Sequence, residues 1–391
     1  LRRADLKVDL REPMETVLTN ARIVMGDAVL DGHLVLRDGC IAEIGAGSSR
    51  VSGALDLGGD YLLPGLIDLH TDALEGHVQP RPGVAWDPVA AAIAHDGQMA
   101  LSGITTVFDA VAVGSSYDRS ERRDMLAPMI DGLEQAIALR LLRANHVLHL
   151  RCEITDPALP RLLEPLLARP SVGFLSLMDH APGQRQSPDI ALYKERQRAQ
   201  LGLDRAEMDR ACDRLIDRSR TIGPIQRAAV AAEARARRLP LSSHDDETVA
   251  HVDLAHAEGC VLSEFPTTRA AALHARALGL HVLMGSPNAV RGLSLYGNLS
   301  ARALAEEGAL DILSSDYVPI SLLHAAFVLA EGEAFDLPGA VALVTANPAH
   351  AAGMTDRGRI EAGLRADLIR VQPIDGVPVV REVLVGGRRV A

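Results

Sequence analysis

"LPGLIDLHTDALEGH" (Leu63–His77) decides how this chain is read. An apolar run, Leu66 and Ile67, passes through Asp68 into His70, Asp72, Glu75 and His77, four groups able to bind a metal or move a proton. Apolar residues that stop at polar ligands mark a buried strand whose C-terminal end opens onto a site. If that strand belongs to a set, other strands should end the same way.

Working outward, strand-like runs recur at Leu66–His70, Thr105–Asp109, His146–Glu153, Val172–His180, Leu239–His244, Val261–Phe265, Val282–Ser286 and Asp311–Asp316, with alanine-rich helical stretches between them. This α/β alternation predicts a (β/α)8, TIM-like barrel with its active groups at the strand C-termini. Residues 14–62 and 354–391 carry short β-like runs with turn signals. Each part is too small to bury its own face, so the two together predict one small β-sandwich module built from both termini. The barrel then occupies residues 63–353. Residues 185–238 interrupt it with "RQSPDIALYKERQRAQLGLDRAEMDRACDRLIDRSR", a charged helical insertion that is either a solvated hairpin or a lid over the site.

Composition narrows the function. With 391 residues, 48% hydrophobic and 23% charged, the chain has the make-up of a soluble globular enzyme. A net charge of −11 argues against nucleic-acid binding and requires any anionic substrate to find a local basic pocket. Cys40, Cys152, Cys212 and Cys260 are far apart and form no CxxC pair, which fits a reducing cytoplasm rather than a disulfide framework. There is no apolar run of about 18 residues to span a membrane. Leu1–Pro13 is charged and lacks a signal-peptide core, and Met14 is read as the start. The absence of a GxxxxGK loop argues against a P-loop nucleotide enzyme.

The strand ends offer His70 and Asp72, Glu153, Asp179 and His180, His244 with Asp245 and Asp246, and Asp316. Imidazoles and carboxylates together suit a divalent zinc, manganese or iron, as one ion or two. A lone strand-end His is more often a hydrogen-bonded structural group, and Asp316 alone could cap the next helix. Recurrence on five separate strands is what favours a metal site. A metal so held lowers the pKa of its water to roughly 7, and a nearby carboxylate can take the proton. His95, Asp96 and Gln98 lie in a helical stretch and are read as structural. Cys152 is read as facing away from the site.

At this point the motifs converge on a known group. "LPGLIDLHTD", the two-ended β-module, and "NPA" (Asn347–Ala349) followed by "GRIEAGLRADL" resemble the amidohydrolase superfamily. More narrowly, "AHDGQMALSGITTVFDAVAVG", "HLRCEI", "SLMDHAPGQRQ", "SSHDDET", "EFPTT", "VLMGSPNAVRG" and "LDILSSDYVPISLL" are similar to the phosphonate-metabolism (PhnM) family, over residues 14–391. The resemblance implies a metal-dependent hydrolase that converts ribose 1-methylphosphonate 5-triphosphate to the 5-phosphate and pyrophosphate. Position by position it implies His70, Asp72, Glu153, His180, His244 and Asp316 as metal ligands, with Asp316 also the base. Asp72 stands where the wider superfamily has the second His of a His-x-His strand.

A triphosphate also needs cations and hydrogen-bond donors. Arg81, Gln184, Arg185, Lys194, Arg269 and Arg291 are the candidates, with Arg185 and Arg291 first because they follow strand ends closely. Two stretches depart from the family pattern. "HTDALE" places Ala73 where Asn is expected, and "RGLSLYGN" (Arg291–Asn298) places Leu295 and Tyr296 where His and Ser are expected. These departures keep a C–N hydrolase or deaminase open as an alternative, and a non-catalytic barrel subunit as a third reading. The expected partner is an anionic small molecule, with no nucleic acid and no membrane; a homo-oligomer is left open.

Overall fold

The computed structural model describes residues 15–117, 120–292 and 299–391, apart from the side chains of residues 120–122. Met14 and the residues before it fall outside this range, as do Leu295 and Tyr296.

Eight parallel strands form the barrel: β1 (Leu66–Thr71), β2 (Ile104–Val113), β3 (Asn145–Glu153), β4 (Val172–Met178), β5 (Leu241–His244), β6 (Leu262–Glu264), β7 (His281–Gly285) and β8 (Ile312–Ser314). Each expected strand is present, and each pairs with its neighbours in chain order. The ring closes between β1 and the end of β8. There Asp316 N donates to His70 O at 3.0 Å, and Asp72 N donates back to Asp316 O at 3.0 Å. The first and last ligand-bearing segments are therefore laced by backbone. Below the site, Ile67, Leu69, Phe108, Phe174, Leu262, Leu283 and Ile312 fill the barrel with apolar side chains, so the interior is a packed floor and not a pore. Leu66, Val107, Leu150 and Leu175 belong instead to the large core shared with the surrounding helices.

The terminal module is one sheet. Thr16–Val24, Val29–Arg37, Cys40–Ala46, Leu55–Asp56 and Tyr61–Pro64 join Leu368–Ile374, Val377–Val385 and Arg388–Arg389. Tyr61–Pro64 lies between Thr16–Val24 and Leu368–Ile374. The sheet bends back on itself, because Ile41 N donates to Leu364 O and Ala366 N to Gly39 O. It thereby encloses its own apolar core of Leu18, Ile23, Leu34, Ile41, Leu62 and Leu368.

The inserted region begins with α2 (Ile190–Leu201) and α3 (Arg205–Thr221) and continues into α4 (Gly223–Arg237); α1 is Pro88–Leu101. Asp189 caps α2, Gly202 ends it at φ +66°, and Asp204 with Glu207 forms a reciprocal capping box for α3. Lys194 reaches Asp209 at 2.7 Å, joining the two helices as a hairpin. α4 is an ordinary barrel helix, with Val230, Ala231 and Ala234 in the main core. No helix among the described residues is long and apolar enough to cross a membrane.

His95 and Asp96 of α1, expected to be structural, sit in a buried hydrogen-bonded network. Asp109 on β2 accepts from His95 Nε2 at 2.6 Å and from His146 Nδ1 at 2.8 Å, all three side chains being buried. Asp96 accepts from the backbone of Arg143 and Ala144 and pairs with the Arg143 guanidinium at 3.0 Å. Burial pushes the Asp109 carboxyl up, but the facing imidazoles outweigh it and hold it at about 2. Burial likewise pulls His146 down, and Asp109 and Asp96 raise it against that pull to about 9.

The linkage to stability has a definite sign. The His146 contribution is full below its unfolded value near 6.5 and is lost as pH rises through about 9. The Asp109 contribution is full above 3.8 and is lost as pH falls through about 2. The stability lost in Asp109→Asn, followed by urea midpoints, should therefore peak between about pH 4 and 6.5 and shrink toward alkaline pH. A difference independent of pH would show that this pair is not ionised in the fold.

Candidate active site

Strand β1 delivers His70 and β5 delivers His244 to the same end of the barrel, where their rings stack with centroids 5.8 Å apart. Between them sits Glu264 at the end of β6, fully buried. One of its oxygens lies 2.9 Å from His70 Nδ1 and the other 2.9 Å from His244 Nδ1. A carboxylate only accepts, so both imidazoles carry their proton on Nδ1 and keep the Nε2 lone pair for the cavity. Burial alone would raise Glu264, but His70 and His149 beside it and the two ring N–H donors bring it well below the usual carboxylate range. It therefore stays anionic and fixes two ligands at once.

Further along, His180 packs edge-on against His244 at 5.9 Å between centroids. Its Nδ1 donates to Glu153 Oε2 at 2.7 Å, while Thr155 holds the other Glu153 oxygen at 2.5 Å. His180, His244 and Asp245 present ligand atoms within 4.8 Å of one another, as do His70, His244 and Glu264. Asp245 Oδ2 is buried without a hydrogen-bond partner, 3.4 Å from His244 Nε2. An orphaned carboxylate oxygen beside a free imidazole lone pair suits a cation, so the donor set fits a divalent metal. Asp316 completes the rim; burial lifts its carboxyl above the ordinary range, with Asp72 adding to the effect and His70 opposing it.

The backbone is strained at this end of the barrel. Asp245, Phe265 and Asp316, each just past a strand, all hold φ near +55°. Non-glycine residues in this left-handed region cost free energy and gather where a site needs them.

Two cavities open onto the ligands. The first, of about 430 Å³, includes His70, His244, Asp245, Asp316, Phe265, Met284 and Arg291 in its lining. The second, of about 510 Å³, includes Glu153, Asp179, His180, Gln184 and part of α2. Asp72, Arg151 and Gln186 line both and so form the partition.

The six residues expected as ligands are thus brought to one end of the barrel. The expected substrate contacts divide. Arg291 lines the first cavity and Gln184 the second, the latter donating to Ser219. Arg185 does not face either cavity: it is buried and bonded to His244 O at 2.8 Å and to Asp246 at 2.9 Å, where it braces the β5 loop. Lys194 is engaged by Asp209, and exposed Arg269 by Glu307. Arg81 stands exposed in a turn that bridges to Val84. Ala73 opens the short helix Ala73–Val78 and lines neither cavity. Two residues were missed, Glu264 and Arg151. Arg151 is the inward-facing residue two before Glu153 on β3, and strand alternation would have placed it there.

The amidohydrolase family profile matches residues 79–391. The chain is 43% identical over 376 residues to the alpha-D-ribose 1-methylphosphonate 5-triphosphate diphosphatase of Escherichia coli (strain K12), covering 96% of this chain and 100% of that one. A D-hydantoinase from Ralstonia pickettii is 27% identical over 59% of this chain and 50% of its own. Among solved structures, 5-methylcytosine deaminase from Klebsiella pneumoniae superposes with a TM-score of 0.67 at 14% identity, covering 97% of this chain and 98% of that one. N-isopropylammelide isopropylaminohydrolase from Burkholderia multivorans gives 0.63 at 19% identity, covering 96% and 98%. The last two likenesses speak for the fold alone. Together with a barrel whose strand ends converge on imidazoles and carboxylates, the sequence matches establish that the chain belongs to the amidohydrolase family.

Proposed function

We propose that the protein is a metal-dependent diphosphatase that hydrolyses ribose 1-methylphosphonate 5-triphosphate, or a closely related phosphoribosyl triphosphate, in phosphonate catabolism in the cytoplasm. The observation that carries this reading is the 43% identity to the Escherichia coli diphosphatase along its whole length. Supporting it, two arginines, Arg151 and Arg291, face the cavities beside the ligands, as a polyanionic substrate requires.

His70, Asp72, His180, His244, Asp245 and Asp316 would hold the metal, while Glu153, expected as a ligand, accepts from His180 and Thr155 and so orients His180; zinc, manganese or iron suits these donors, as one ion or two. When bound, it would polarise a phosphoryl oxygen and lower the pKa of a water. Asp316 takes a proton from the attacking water as its oxygen bonds to the α-phosphorus. The α–β bridging P–O bond breaks, and its electron pair leaves with pyrophosphate. Arg151 stands on the partition, within reach of groups in either cavity, and offsets charge on the phosphoryl oxygens. Glu264 keeps the Nε2 atoms of His70 and His244 turned to the centre.

Incubating the manganese- or zinc-loaded protein with ribose 1-methylphosphonate 5-triphosphate and following phosphorus NMR tests the reading. Pyrophosphate should appear together with a sugar 5-phosphate. Release of orthophosphate, or no turnover with metal bound, would refute it.

A further inference from the structure

The two cavities differ in kind. The first has apolar walls of Phe265, Met284 and Pro287 with Arg291 among them. The second shares Arg151 as the one arginine or lysine among its described lining, which also holds the Asp72, Glu153 and Asp179 carboxylates and is otherwise rich in hydroxyls and amides. Three of these come from α2: Tyr193, Gln197 and Gln200. They fall at i, i+4 and i+7, one stripe of a helix, so α2 presents a continuous polar face to the cavity. That face is held in place from both sides. The Tyr193 hydroxyl lies 2.5 Å from the hydroxyl of Tyr117, in the segment after β2, and Lys194 ties α2 to α3 through Asp209.

Phosphate oxygens only accept hydrogen bonds and favour cations, whereas a sugar hydroxyl both donates and accepts. Glutamine amides and tyrosine or serine hydroxyls also do both. The α2 wall therefore matches an uncharged polyhydroxylated group better than a phosphate chain, while the first cavity, with Arg291, matches the reverse.

We propose that the inserted hairpin is a sugar-recognition element: Gln197 and Gln200 bind hydroxyls of the pentose half of the substrate in the second cavity, and the pyrophosphate half lies beside Arg291 in the first. The identity of the sugar rests on the diphosphatase reading; the division of the site rests on the two walls.

Calorimetric titration of the manganese-loaded full-length protein with D-ribose 5-phosphate and, separately, with inorganic pyrophosphate tests the proposal. Gln197 is half-buried and Gln200 exposed, so truncating them opens no hole in the core. In the double variant Gln197→Ala/Gln200→Ala, ribose 5-phosphate affinity should fall roughly tenfold or more, through the loss of two hydrogen-bonding groups. Its pyrophosphate affinity should be unchanged. Arg291→Ala should show the opposite pattern. Equal weakening of both probes overturns the proposal, as does ribose 5-phosphate binding that ignores the glutamines or is absent from the wild type. The diphosphatase reading fails in a different way: ribose 5-phosphate binding depends on the glutamines, yet the triphosphate releases no pyrophosphate.

Discussion

Asp316→Asn is expected to lower kcat for pyrophosphate release by roughly 10²–10⁴-fold, the range associated with losing a positioned general base. Asparagine is the informative replacement because Asp316 holds φ +56°. Asn tolerates the left-handed region, so the laced backbone between Asp316, His70 and Asp72 should survive the substitution. The carboxyl group alone is then tested. Metal content measured beside kcat separates the two roles assigned to this residue. A variant that retains metal but loses turnover identifies the base. If metal is retained and kcat falls less than about tenfold, the base lies elsewhere, and Asp245 in the same cavity is the next group to replace.

Glu264→Ala should act on the metal rather than on the proton. It leaves the Nδ1–H groups of both His70 and His244 without their acceptor in a buried space. Stranding a buried donor costs about 1–3 kcal/mol, so a lower melting temperature is expected along with the binding defect. Loss of an orienting carboxylate behind a metal-binding His typically weakens metal affinity about 10–100-fold, and here one carboxylate serves two rings. Glu264→Gln should fall between wild type and alanine. Its single carbonyl oxygen can serve one imidazole, while its NH₂ opposes the N–H of the other. Metal titration of the three proteins checks the order, and unchanged affinity in Glu264→Ala would remove Glu264 from the centre's support.

The difference between Asp316 and Glu264 explains what the sequence disclosed. His70, His180, His244 and Asp316 each follow an apolar run, and that contrast between run and ligand is visible in one dimension. Glu264 falls inside the expected strand Val261–Phe265, with apolar Phe265 after it, so it does not stand out as the polar end of the run. Its importance comes from two histidines far away in the chain, a relation that appears only when β1, β5 and β6 are neighbours in space. Arg151 carries no such contrast, because it lies within the run of β3 between Leu150 and Cys152, and the folded barrel turns it into the cavities. Arg185 illustrates the opposite error. Its closeness to a strand end suggested a phosphate contact, whereas Asp246 and a backbone carbonyl already occupy its guanidinium. Which arginines are already bonded depends on loops meeting, and spacing carries no such information. The barrel itself was far more legible, because eight apolar runs report burial directly.

The terminal sheet bears on the order in which the molecule can be made. Tyr61–Pro64 leads directly into β1, yet one of its sheet neighbours is Leu368–Ile374, and the Asp60–Arg370 pair spans 310 residues of chain. During synthesis, the segment bearing His70 and Asp72 emerges early and can pair with β2 on one flank, but its other flank waits for nearly the whole barrel. Asp316 closes one side, and Leu368–Ile374 then anchors the strand that feeds it. Contacts so distant in sequence form slowly and leave apolar edges exposed meanwhile. The first motif to be translated is thus among the last to reach its working geometry, and a nascent chain stalled before residue 368 would carry most of the ligands without a finished site.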